Sequence, residues 1–143
     1  MIWHRGEVVA DVSLKISVLD RTFEHGLGLF ETFRTWNGRP SLLPRHLERL
    51  KRSAQALGIP LAEDALPSAT DVRALLIADR REGDAALRIT LSGGTSADGG
   101  STLWMRSAPL PPSSPADGIR LGTIGPARRD PLAAFKSLNY WPY

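Results

Sequence analysis

The chain has 143 residues, 42% hydrophobic and 23% charged, enough to bury a core in one domain or in one domain and part of another. It has no cysteine, which excludes disulfides and a thiolate nucleophile, and its three histidines stand in no metal-ligand spacing, so no metal is expected. Basic and acidic residues are mixed throughout a net charge of +3, which argues against nucleic acid and suits small anions, and no apolar run reaches a membrane span or a signal peptide, so a cytoplasmic protein without membrane contact is expected.

Residues 1–10 predict a short hairpin turning at His4-Arg5-Gly6-Glu7. From Ser13 to Val18 polar and apolar residues alternate, which predicts a strand or an extended segment lying over a core. The glycines of Gly26-Leu27-Gly28 predict a bend with close backbone approach. Leu29 to Trp36 predicts a strand, ended by an Asn37-Gly38 hairpin turn and paired with Ser41 to Leu43. Pro44 opens a helix that runs to about Leu57, with Leu43, Leu47, Leu50, Ala54 and Leu57 on one stripe and Gly58 as the stop. A second helix is expected over Ser68 to Arg81, with Val72, Leu75, Leu76 and Asp79 giving it an amphipathic pattern and Gly83 closing it. Strands are expected over Ala86 to Ser92 and Thr102 to Arg106, with a flexible loop bracketed by Gly93-Gly94 and Gly99-Gly100.

The stretch 107–118 holds four prolines and predicts a linker. A fresh strand is expected over Ile119 to Ile124. The organisation is therefore an α/β unit over 1–106, a linker over 107–118 and the start of a second unit over 119–143. About 25 residues cannot form a domain without a disulfide or a metal, so the second unit is expected to be truncated or to need a partner.

The residue with the most chemical promise is Lys136. Phe135, Leu138, Tyr140 and Trp141 surround it with apolar and aromatic groups. Desolvation there would lower the amine pKa and make it nucleophilic, as a Schiff-base lysine requires. The plain alternative is a strand with one charge reaching to water. Arg49 sits among Arg45, Lys51 and Arg52 on the first long helix. It lies about 60° from His46 and about 40° from Ser53 around the helix, toward a shoulder of the apolar stripe. Either a surface arginine or an anion ligand fits that position. Glu31 and Arg34 could be a catalytic carboxylate and its partner, but a structural salt bridge along the strand is favoured. His25 either binds a substrate carboxylate or caps a turn. Arg88 either reaches a pocket or pairs on the sheet surface.

Four segments in order give the chain a resemblance. They are Asp20-Arg21 through Gly26-Leu27-Gly28-Leu29-Phe30-Glu31 to Arg34; His46-Leu47-Glu48-Arg49-Leu50; Leu87-Arg88-Ile89-Thr90-Leu91-Ser92-Gly93-Gly94; and Lys136-Ser137-Leu138-Asn139-Tyr140. Together they resemble the fold-type IV pyridoxal phosphate enzymes, the class IV aminotransferases, which include branched-chain and D-amino-acid aminotransferases and aminodeoxychorismate lyase. The resemblance implies an α+β small domain of that fold, followed by the beginning of the cofactor-binding domain.

It also implies pyridoxal 5'-phosphate as cofactor, with Lys136 forming the Schiff base and shuttling protons. Arg49 would bind the phosphate and Tyr140 the phenolic oxygen, while Phe30 and the 25–31 turn would line the substrate pocket. The implied reaction is transfer of an amino group between an amino acid and a 2-oxo acid. A lyase releasing pyruvate and a catalytically silent fragment or binding module are the alternatives. A homodimer is the family default. In the D-amino-acid aminotransferases an arginine follows the third segment, and here that stretch reads Ser92-Gly93-Gly94. The family's glutamate for the pyridine nitrogen, and its helix N-terminus and glycine turns for the phosphate, would lie beyond Tyr143.

Overall fold

The computed structural model describes residues 1–96, 100–112, 118–122 and 131–139. Two hairpins organise the strands. β1 (Ile2–His4) and β2 (Glu7–Val9) turn through Arg5 and Gly6, at φ 50° and 83°. β3 (Gly28–Trp36) and β4 (Arg39–Pro40) turn through Asn37 and Gly38, at φ 49° and 73°. Positive φ at both central residues matches the right-handed twist of the flanking strands, which is why Asn-Gly works there. β5 (Ala86–Ser92) and β6 (Leu103–Ala108) complete a six-stranded sheet in the order β2-β1-β6-β5-β3-β4. Every strand pair in it is antiparallel.

Side chains of a strand alternate between faces. Leu29, Phe33, Leu87, Ile89, Leu91, Leu103, Met105 and Trp3 therefore share one face, and they are buried. Two helices cover that face. α2 (Leu43–Ala56) inserts Leu43, Leu50 and Ala54, with Pro44 in its first turn and Gly58 at φ 61° just beyond its end. α3 (Ala69–Ala78) inserts Val72, Leu75 and Leu76. Ser68 starts it through a capping box with Asp71, which satisfies two otherwise orphaned backbone donors. Asp71 also accepts from Trp3 Nε1 at 2.8 Å, tying the helix to the first strand. This is the helix-and-strand fold class expected. Among the described residues no helix is long and apolar enough to cross a membrane.

Several expectations need correction. The partner of β3 is Arg39–Pro40, because the two-residue turn leaves no room for the strand to resume later; Ser41 only donates one backbone bond to Arg34. α3 ends at Ala78, and Arg80, at φ 53°, reverses the chain before Gly83 is reached. Residues 13–18 form no strand: Leu14 and Ile16 are half-buried, as an extended segment would place them, while Val18 is exposed. The bend before β3 contains a short helix, α1 (Arg21–His25), capped by the Asp20 carboxylate. β6 runs on to Ala108, into the proline-rich stretch. Residues 118–122 are exposed and in no strand, and 123–124 of the expected strand lie outside the described residues.

The segment around Lys136 joins the sheet. Phe30 N–H donates to the Lys136 carbonyl and Leu138 N–H to the Gly28 carbonyl, each at 2.9 Å, and Ser137 bridges Leu29 in antiparallel fashion. It occupies the edge of β3 that β4 leaves bare. Phe135 packs against the core.

Leu75 is fully buried beneath the sheet. Leu75→Ala should lower unfolding free energy by about 2–5 kcal/mol in urea denaturation. Arg52→Ala, on the exposed side of α2, should stay within about 0.5 kcal/mol of the parent.

Candidate active site

Because Ser137 opposes Leu29, the side chains of Lys136 and Leu138 fall on the other face of the sheet, with Phe30. The Lys136 Nζ lies 5.0 Å from the Phe30 ring centroid. Phe30 is buried, and the Arg88 guanidinium stacks on the same ring at 3.8 Å. Burial lowers the Lys136 pKa from the usual lysine value; Glu31 opposes the shift, and the charges of Arg49 and Arg88 add to it. Burial, and then the charge of Arg106, likewise lowers that of Arg88.

Glu31 follows Phe30 in sequence and points the opposite way, into the helix side, at 1% exposure. A carboxylate there must be paired. His46 Nδ1 lies 2.8 Å away, Arg49 Nε donates at 2.6 Å, and Arg49 Nη2 donates to the second oxygen. Both partners come from α2, where positions three apart share a face. Burial raises the Glu31 pKa, but the bonds from Arg49 and His46 more than offset it and the net shift is downward. The expected Glu31–Arg34 bridge is therefore not formed. Residues three apart on a strand face opposite sides, and Arg34 instead pairs with Asp84 at 2.6 Å.

On the open face a cavity of about 510 Å³ is lined by Arg88, Thr90, Trp104 and Arg106 and bordered by Thr22, Ser92 and Leu138. Its upper rim is held by Asp20, which is buried. Asp20 accepts from Thr22 N–H at 2.8 Å, Ser92 Oγ at 2.6 Å and Gly94 N–H at 3.1 Å. Burial pushes the Asp20 pKa up, and these bonds bring it below its ordinary value. Gly93 has no room for a side chain, since a Cβ would sit 2.5 Å from the Leu27 carbonyl oxygen. The glycine pair expected to open a flexible loop is thus a buried, clasped turn at its first end.

Of the residues singled out from sequence, Lys136, Phe30 and Arg88 come together around one ring, and Arg49 stands behind them through Glu31. His25 ends α1 with its side chain exposed, 3.9 Å from Glu24. Tyr140 lies outside the described residues. Sequence reasoning did not find the anchoring role of Glu31, although its phase with Leu29 and Phe33 signals burial. Asp20, Thr22, Ser92, Trp104 and Arg106 were missed as well; the Asp-x-Thr spacing of a helix cap was the one available signal.

Residues 28–143 match the family described as amino-transferase class IV. The putative branched-chain-amino-acid aminotransferase of Methanocaldococcus jannaschii is 32% identical, over 97% of this chain and 51% of its own length. The aminodeoxychorismate lyase of Bacillus subtilis is 34% identical, over 69% of this chain and 34% of its own length. Among solved structures, a putative 4-amino-4-deoxychorismate lyase from Legionella pneumophila superposes with a TM-score of 0.74 at 29% identity, covering 92% of this chain and 51% of that one. The chain thus spans about half the length, or less, of these relatives.

The downward shift of Glu31 has a direction in pH. Its contribution to stability is complete above the ordinary carboxyl value of 4.5 and is lost as pH falls through the lower folded value. Glu31→Gln should cost about 1–3 kcal/mol at neutral pH. It should also flatten the loss of urea midpoint below pH 4.5 relative to the parent. Parallel pH profiles for the two proteins would remove Glu31 from this role.

Proposed function

The chain belongs to the amino-transferase class IV family, and on that premise we propose that it is a pyridoxal 5'-phosphate-dependent aminotransferase whose reactive amine is Lys136. The observation that carries the reading is the placement of that amine: half-buried, against the Phe30 ring, with its pKa lowered. A lowered pKa leaves more of the amine neutral near pH 7, and the neutral form is the nucleophile.

The donor set suits an anionic aldehyde cofactor. Lys136 feels the positive charges of Arg49 and Arg88, and Glu31 is the carboxylate that acts on it against them. A phosphate dianion would relieve that imbalance. Arg49 is the residue to hold it: Glu31 fixes its Nε and Nη2, which orients the guanidinium, and half of the side chain remains exposed. The bound cofactor would supply the electron sink for breaking a bond at the substrate carbon. Lys136 Nζ would bind its carbonyl carbon and carry the proton to and from the substrate. Phe30 would wall the site on the sheet side and exclude water from the amine. Tyr140 is the proposed donor to the phenolic oxygen, and a homodimer is the proposed assembly. The substrates would be an amino acid and a 2-oxo acid.

A second reading has its own support. The Legionella protein, with its TM-score of 0.74, and the Bacillus enzyme both carry lyase names. Release of pyruvate from aminodeoxychorismate without any 2-oxo acid acceptor would select the lyase over the aminotransferase.

The chemistry shared by both readings is tested by incubating the protein with pyridoxal 5'-phosphate, reducing with borohydride and mapping the added mass. Modification is expected on the peptide holding Lys136, and Lys136→Ala should lose it while keeping its circular dichroism. Labelling spread over surface lysines, or unchanged in the variant, would leave the chain a silent member of its family.

A further inference from the structure

We propose that His46 is a positioning residue: acting through Glu31, it sets the orientation of the Arg49 guanidinium. His46 Nδ1 lies 2.8 Å from Glu31 Oε2 and 3.3 Å from Arg49 Nη2. An arginine only donates, and an ionised carboxylate only accepts. If Nδ1 accepted from Arg49, its lone pair would face the carboxylate oxygen at 2.8 Å. The network therefore assigns the proton to Nδ1, which donates to Glu31. Glu31 then takes three N–H bonds, two from Arg49 and one from His46, all from α2.

The three bonds differ in what they fix. The two from Arg49 join two planar groups but let the pair turn together, because the last torsion of a glutamate is broad. The pair has little other anchor. Among the described residues Arg49 bonds Glu31 and approaches His46, and half of its side chain is exposed. The third bond comes from a ring that cannot follow. His46 is half-buried and packs on Phe33, with ring centroids 5.3 Å apart. Phe33 belongs to the core and stands two residues from Glu31 on the same face of β3. Constraint thus passes from core to imidazole, from imidazole to carboxylate and from carboxylate to guanidinium. Arg49 Nη1, which enters no hydrogen bond among the described residues, is left pointing in a set direction. A guanidinium ordered in advance binds an oxyanion more tightly than a loose one. That the oxyanion is the cofactor phosphate rests on the proposed function; the hold of His46 on Arg49 does not.

The Arg49 Nε–H signal in nitrogen-15 NMR, assigned by its loss in Arg49→Lys, reads this hold in the full chain without ligand. His46→Phe keeps a ring against Phe33 and removes the donor, and the signal should move toward that of a free arginine. His46→Asn, whose amide nitrogen stands where Nδ1 stood, should restore it. His46→Gln, whose amide lies one carbon farther out, should not. Absorbance titrations with pyridoxal 5'-phosphate and with pyridoxal then separate the phosphate from the aldehyde. His46→Phe should weaken the phosphorylated compound about tenfold, as loss of one charge-assisted hydrogen bond would, and leave pyridoxal within about twofold. A signal unmoved in His46→Phe, or unrestored in His46→Asn, would overturn the role and leave His46 as packing alone. Equal weakening of both aldehydes would overturn it too. Should His46→Phe not fold, equal Arg49 signals in His46→Asn and His46→Gln would do the same. A parent chain that takes up neither aldehyde would count against the proposed reaction, and the Arg49 signal would still decide for or against His46.

Discussion

On β3, Phe30 and Glu31 are neighbours in sequence and opposites in space. The pleat sends Phe30 to the open face, where Lys136 and Arg88 meet its ring, and sends Glu31 beneath the sheet, where α2 supplies His46 and Arg49. A one-residue slip of this strand would exchange the two, burying a ring where a carboxylate is wanted and exposing a carboxylate among the groups of the open face. The register is pinned on both sides. β5 pairs with β3 through seven opposed residues from Gly28 to Arg34, and the Lys136 segment pairs along the other edge. The apolar partners of Glu31 on its own face, Leu29 and Phe33, belong to the core. The burial of the core and the placement of the charged groups are thus one constraint.

The Asp20 cluster serves the same end from another direction. Its carboxylate gathers donors from α1, from the end of β5 and from the glycine turn that follows. Thr22 adds bonds to the Leu27 carbonyl and from Gly93 N–H. These contacts bring together stretches some seventy residues apart in sequence, and they fix the Thr22 and Ser92 hydroxyls at the cavity border. A buried carboxylate is costly unless fully bonded. Three donors satisfy it here, and they tie the turn before β3 to the end of β5. Gly28 and Gly93 are needed here for close approach rather than for positive φ: at Gly28 a Cβ would meet Leu138 Cδ1 at 2.5 Å.

What was legible in the sequence was local and periodic. The α2 stripe, the α3 face, the Asn37-Gly38 turn and the span of β5 follow from spacing alone, because each is decided by neighbours within a few residues. The failures have a common form. α1 was hidden because five residues are too few for periodicity, and the Asp20 cap that nucleates it is also spent on Ser92 and Gly94. The sequence favours a Glu31–Arg34 bridge because both sit in one strand, although strand alternation separates them. The joining of Lys136 to β3, and the opposition of Arg88 and Arg106, depend on pairing between distant segments. No local pattern encodes that. The resemblance marks Lys136 and Arg49 singly, the sequence leaves Arg88 between a pocket and the sheet surface, and the fold supplies the relation among them.

That relation carries a conflict built into sites of this kind. Positive charge is needed to hold an anionic ligand, yet each added cation depresses the amine it surrounds. Arg49 and Arg88 both lower the Lys136 pKa. For a nucleophile this is useful, since the neutral amine reacts. For a stable fold it is a burden, since adjacent cations repel. Glu31 moderates the burden without abolishing the benefit. It is the carboxylate that ties Arg49 to the sheet, it raises the Lys136 pKa against the arginines, and it lies on the far side of the sheet from the cavity. Placed on the open face, the same carboxylate would pair with Arg88 or Arg106 and leave Arg49 unpaired. Kept underneath, it bonds Arg49 directly and acts on Lys136 from the other side of the sheet.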